Sequence, residues 1–171
     1  LDLRHTPSVE AFCTHLLSTR DRLDFIINNA CQTVRRPPDF YAHMMDREQA
    51  AASTLPDRAR PLLGAYEGLR GEAGAGLATR NAVTAGVAEA IPGLLNPAEL
   101  ARLPLLREEW TGQPELFPAG QLDRDLQQVD LRGRNSWRLT LAEVSSVELL
   151  EVQLVNAVAP FLINARLKPL M

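Results

Sequence analysis

The strongest periodicity lies near the C-terminal end of the chain. Val147, Leu150, Leu154, Val158, Phe161, Leu162 and Ala165 recur at helical spacing, and the segment is apolar nearly all round, which predicts a helix over 146–168. Ser145-Ser146-Val147-Glu148 has the spacing of a capping box, with Ser145 as the cap and Glu148 reaching back to it. A helix apolar on several sides is expected to pack on a sheet and on another helix or subunit. Pro160 sits inside it and has no N–H, so the carbonyl of Asn156 loses its helical partner and a kink is expected there.

A second helix is predicted by Val9, Phe12, Cys13, Leu16 and Leu17, with Thr6 as cap and Pro7 at the first helical position. After the polar stretch Ser18 to Arg22, Leu23-Asp24-Phe25-Ile26-Ile27-Asn28-Asn29-Ala30 has a continuous apolar centre. It reads as a buried parallel strand. With Leu1 to Leu3 as the end of an earlier strand, the opening is one βαβ unit. Residues 35–134 differ in character. Arg35-Arg36-Pro37-Pro38 breaks any regular element, Ala50 to Gly93 is rich in Ala and Gly, and prolines at 97, 104, 114 and 118 permit only short helices such as Pro97–Arg102 or Leu105–Trp110. A structureless loop of that length is uncommon in a compact domain, so a largely helical and irregular insertion is expected. The pattern therefore predicts an α/β chain: a βαβ unit over 1–34 and a helix within 135–171, separated by an insertion over 35–134.

Composition narrows the partners. With 171 residues, 18 basic and 21 acidic side chains and a net charge of −3, the chain is a single domain in size and lacks the basic surface that nucleic acids or anionic membranes require. No uninterrupted apolar run approaches the ~20 residues of a membrane span. Two cysteines, Cys13 and Cys31, make no disulfide framework and suit a reducing cytoplasm. The chain opens on Leu1 and closes on Met171 in mid-pattern, which reads as the middle of a larger protein. One strand and a fragment of another cannot supply two-sided burial, so the chain alone is expected to be partly unfolded or aggregating.

The usual catalytic constellations are absent. No GxGxxG or Walker pattern joins a strand to a helix, and His5, His15 and His43 lack metal-ligand spacing, so no metal is expected. Arg35-Arg36 has the charge to clamp a phosphate but reads rather as a solvated loop pair. Two features remain. Asn28-Asn29-Ala30-Cys31 closes the predicted strand, at the end where open α/β sheets bind ligands; the plain alternative is an Asx turn. Asn156 with Pro160 leaves a carbonyl and an amide that need water or a ligand, or else neighbouring backbone.

Together these residues resemble the short-chain dehydrogenase/reductase family, over Leu1 to about Tyr41 and Asn135 to Met171. Asp2-Leu3 resembles the acidic-apolar pair that meets the adenine ring. Leu23 to Ala30 resembles the strand closing on the family's Asn-Asn-Ala-Gly motif, with Cys31 in place of the glycine. Val155-Asn156-Ala157-Val158-Ala159-Pro160-Phe161 is similar to the helix carrying the catalytic asparagine. The resemblance implies that 1–34 and 135–171 are part of a Rossmann-type, doubly wound parallel sheet, binding NAD or NADP through Asp2, Leu3, Asn28, Asn29, Ala30 and Cys31. It also implies hydride transfer to or from a carbonyl/alcohol substrate, with Asn156 holding a relay water. It implies a homo-oligomer through the 146–168 helix. The phosphate loop, the Ser and the Tyr-x-x-x-Lys of that family are not here: Tyr41 and Tyr66 are the only tyrosines, and neither has Lys at the fourth place. A non-catalytic relative serving as a binding or oligomerisation subunit, or a helical interaction module, are the alternatives.

Overall fold

The computed structural model describes residues 1–48, 50, 54–63 and 97–171. Helix α1 (Thr6–Thr19) starts with His5, not Thr6, in the cap position; His5 makes no side-chain cap bond, and its Nδ1 lies 2.6 Å from Ser8 Oγ. The 146–168 periodicity becomes a continuous helical rod from Ser146 to Leu170. It comprises α4 (Ser146–Gln153), a π turn over Leu154–Val158, α5 (Ala159–Leu167) and a closing 3₁₀ turn over Lys168–Leu170. Between α1 and the rod lie the short helices α2 (Met45–Glu48) and α3 (Pro97–Ala101). Ser145 caps the rod by accepting the Glu148 amide at 3.1 Å. Glu148 does not reach back to Ser145. Its carboxylate instead accepts from the Arg35 amide at 2.9 Å and the Ser136 hydroxyl at 3.0 Å, so only half of the capping box forms.

The wide turn has an identifiable cause. Pro160 withholds the N–H and its ring crowds the preceding turn. The rod absorbs this just upstream, where the Ala159 amide donates to Leu154 O, five residues back rather than four. Helix α1 packs against α5, burying Val9 and Cys13 on the first and Ala159 and Leu167 on the second. At the rim Arg166 pairs bidentately with Glu10, at 2.8 and 2.9 Å.

The predicted parallel sheet is not found. Among the described residues there is no β-strand, only an isolated antiparallel bridge between Leu122 and Gln128, so a Rossmann-type sheet has no basis in the fold. Short-chain dehydrogenase/reductase architecture, which needs that sheet, loses its support with it. Leu23 to Ala30 is unpaired instead of buried: Phe25 is 81 % exposed and Ile27 is 85 % exposed. A strand exists only through a ladder, and no described segment offers one to this run. What holds the run is the rod. The Leu23 amide donates to Leu170 O (2.8 Å), Asn28 Nδ2 donates to Asn164 Oδ1 (3.2 Å), and Gln32 pairs with Asn156. Pairing thus advances along one segment as it retreats along the other. Four residues of extended chain span about 13 Å and eight residues of helix span about 12 Å, so the Asn28–Asn164 and Gln32–Asn156 contacts are in register.

Of the 35–134 insertion, the described parts include a 3₁₀ helix over Pro38–Met44, α2 (Met45–Glu48), a 3₁₀ turn over Arg60–Leu63, α3 (Pro97–Ala101) and a 3₁₀ turn over Arg107–Glu109. The Ala/Gly-rich reading of Ala50 to Gly93 falls mostly on residues outside the described set. By length and composition alone the rod could cross a membrane, a property it shares with core helices of soluble proteins.

Candidate functional site

A cavity of about 620 Å³ opens where the N-terminal residues, the Cys31–Arg36 run, the start of the insertion and the rod meet. That volume is within the range of small-molecule sites. Leu1, Leu3, Val34, Met44, Met45 and Val155 give it an apolar part; Asp2, Arg4, Arg35, Arg36, Glu48 and Glu151 give it a charged part. Tyr41 and Trp137 also line it, as do Pro97, Ala98 and Ala101 of α3 within the insertion.

The charged part is mostly self-satisfied. Arg4 donates to both oxygens of Asp2, at 3.0 Å from Nε and 2.7 Å from Nη2, and its Nη1 reaches Glu151 Oε1 at 2.7 Å. Arg35 is held between Glu109, which takes both terminal nitrogens, and Glu151. Its Nε and Glu151 Oε2 lie 2.9 Å apart but out of line for a hydrogen bond, so that contact is purely electrostatic. Glu151 thus stands between two arginines, one from each wall, with its side chain only 6 % exposed. Burial would lower the pKa of Arg4, yet Asp2 and Glu151 outweigh it and raise the value; Arg35 is raised in the same way by Glu109 and Glu151. For Glu109, burial pushes the carboxyl up, but Arg35 and the Leu105 and Leu106 amides hold it below its ordinary value. The reading of Arg35 as a solvated loop residue is therefore corrected: it is buried, because three carboxylates converge on it, the third being Glu148 at its backbone amide.

The predicted site residues divide into two groups. Asp2, Leu3 and Cys31 line the cavity together. Asn28, Asn29, Ala30 and Asn156 lie outside its lining. Asn28 binds Asn164, the Asn29 amide donates to Ile27 O at 3.1 Å, and Ala30 is exposed. Asn156 lies in the π turn, where its side-chain amide grips the Gln32 backbone from both sides: Oδ1 accepts from Gln32 N at 2.9 Å and Nδ2 donates to Gln32 O at 2.7 Å. Gln32 itself lines the cavity, so Asn156 acts on the site by fixing this wall. Cys31 is exposed on that wall, whereas Cys13 is buried and its thiol is pushed up by burial and by Glu10. Sequence reasoning missed Arg4 and Glu151. Their signal was weak, since a lone Arg after Asp-Leu and a Glu on an apolar helix look like surface charges until the chain brings them together. Among the described residues no cluster could hold a metal ion.

Comparison with known protein families, with curated proteins and with solved structures finds no match to this chain.

Proposed function

We propose that the chain forms part of an NAD- or NADP-dependent oxidoreductase acting on a carbonyl or alcohol, and that the cavity holds a nucleoside-sized portion of the cofactor. The observation that carries this reading is the convergence of Cys31 on one cavity with Asp2 and Leu3, from which it is 28 or more residues away in sequence. The donor set fits such a ligand. A carboxylate offers about four acceptor sites. Asp2 uses three, for the Arg4 amide, Nε and Nη2, which leaves one for an exocyclic amino group. Leu3 and Val155 supply apolar contact for a ring.

When bound, the cofactor supplies the hydride chemistry. This chain's residues do the holding. Asn156 keeps Gln32, and with it the wall ending at Cys31, against the rod. Its main-chain carbonyl, which Pro160 cannot pair, is the acceptor for a relay water. Neither tyrosine has Lys at the fourth place, so this reading gives the chain cofactor and water holding, not the acid/base step. The test uses Cys31: NADH or NADPH is expected to slow its alkylation by a neutral maleimide in proportion to occupancy. Unchanged alkylation at saturating concentrations of both dinucleotides would refute the reading.

A second reading, a binding or oligomerisation subunit, is favoured by the exposure of Phe25, Ile27, Leu150 and Phe161. It predicts self-association with no dinucleotide effect at Cys31.

A further inference from the structure

Three arginines line the cavity, and they are not equivalent. Arg4 is neutralised by Asp2 and Glu151, and Arg35 by Glu109 and Glu151. Arg36 has no carboxylate within ion-pair distance among the described residues. The carboxylate that feels its charge, Asp130, is already held by Arg132 through two side-chain bonds of 2.9 and 2.7 Å and one from its amide at 3.1 Å. Arg36 is nevertheless ordered by its surroundings. Its guanidinium carbon lies 4.1 Å from the centre of the Phe40 ring. That ring is 1 % exposed and is fixed edge-on by Tyr41 at 5.2 Å. This contact leaves the Arg36 N–H donors without a carboxylate partner among the described residues, and the planar donor set of a guanidinium suits bidentate recognition of a carboxylate or phosphate.

We propose that Arg36 is the anion-recognition residue of this cavity, pairing with a phosphate or carboxylate on the bound molecule while Tyr41, Met44, Met45 and Trp137 contact its apolar part. The inference rests on the cavity as a ligand site but not on its redox use, and the experiment separates the two. The probes are 1-anilinonaphthalene-8-sulfonate and N-phenyl-1-naphthylamine, which share a skeleton and differ in the anionic group. Binding is read as energy transfer from Trp137, the tryptophan on the cavity wall, in a Trp110→Phe background.

Arg36→Gln is expected to weaken the sulfonate probe about tenfold or more and the neutral probe less than about twofold, with Arg36→Lys recovering part of the loss. Unchanged sulfonate affinity, or equal weakening of both probes, would overturn the proposal. Displacement of the sulfonate by pyrophosphate or by benzoate supports it. The tighter competitor assigns the anion to a cofactor phosphate or to a substrate carboxylate, and displacement by neither overturns it. An Arg36-dependent sulfonate site that ignores NADH and NADPH would leave this inference standing and remove the oxidoreductase reading. Dinucleotide binding indifferent to Arg36 would do the reverse.

Discussion

Replacing Asn156 by alanine removes both bonds that hold Gln32 to the rod, the 2.9 Å bond from its amide and the 2.7 Å bond to its carbonyl. Each neutral hydrogen bond contributes about 1 kcal/mol net, so local docking of the Cys31–Arg35 run should weaken by about 2 kcal/mol. Because about 1.4 kcal/mol corresponds to a factor of ten, hydrogen exchange at the Gln32 amide should accelerate about 30-fold. Asn156→Asp separates the two contributions. The carboxylate still accepts the Gln32 amide but faces the Gln32 carbonyl with no donor, so protection should fall at neutral pH and partly recover when the carboxyl is protonated. The assay is native-state exchange followed residue by residue, with α1 amides as internal reference. Gln32 protection within about twofold of wild type in the alanine variant would refute the reasoning, since the amide would then be protected by something other than Asn156.

Two further outcomes follow from the buried charges. Glu151→Gln leaves Arg4 and Arg35 without their shared carboxylate and should destabilise the chain by about 3–5 kcal/mol in urea unfolding, whereas Glu10→Gln at the exposed rim should change little. Glu109 has a folded-state pKa below its ordinary value of 4.5, so its stabilisation is fully present above that pH and is lost as pH falls through the folded value. Wild type should therefore lose stability more steeply than Glu109→Gln as pH drops below about 4.5, and parallel acid-unfolding curves would contradict the ion pair.

Local grammar was legible and long-range assembly was not. The rod, its Ser145 cap and the disturbance at Pro160 follow from spacing and from the missing N–H, which are properties of neighbouring residues. The supposed strand shows the limit. Leu23 to Ala30 has the composition of a buried strand, but burial depends on segments lying on both sides, and the run instead lies along the rod with Phe25 and Ile27 outward. The Asn156 amide needs a partner by its place on an apolar helix, but that its partner is the Gln32 backbone, 124 residues away, is not readable from spacing. The charged wall was invisible for the same reason: Asp2, Arg4, Arg35, Glu109 and Glu151 are scattered in sequence, and no spacing rule links them.

Energy transfer from the cavity wall reports whether the cavity takes a nicotinamide dinucleotide, as proposed. In Trp110→Phe protein, NADH or NADPH should quench Trp137 and give sensitised dihydronicotinamide emission that saturates and is reversed by the oxidised cofactor. Trp137 emission indifferent to both reduced dinucleotides, in protein whose Gln32 amide is still protected, would contradict it.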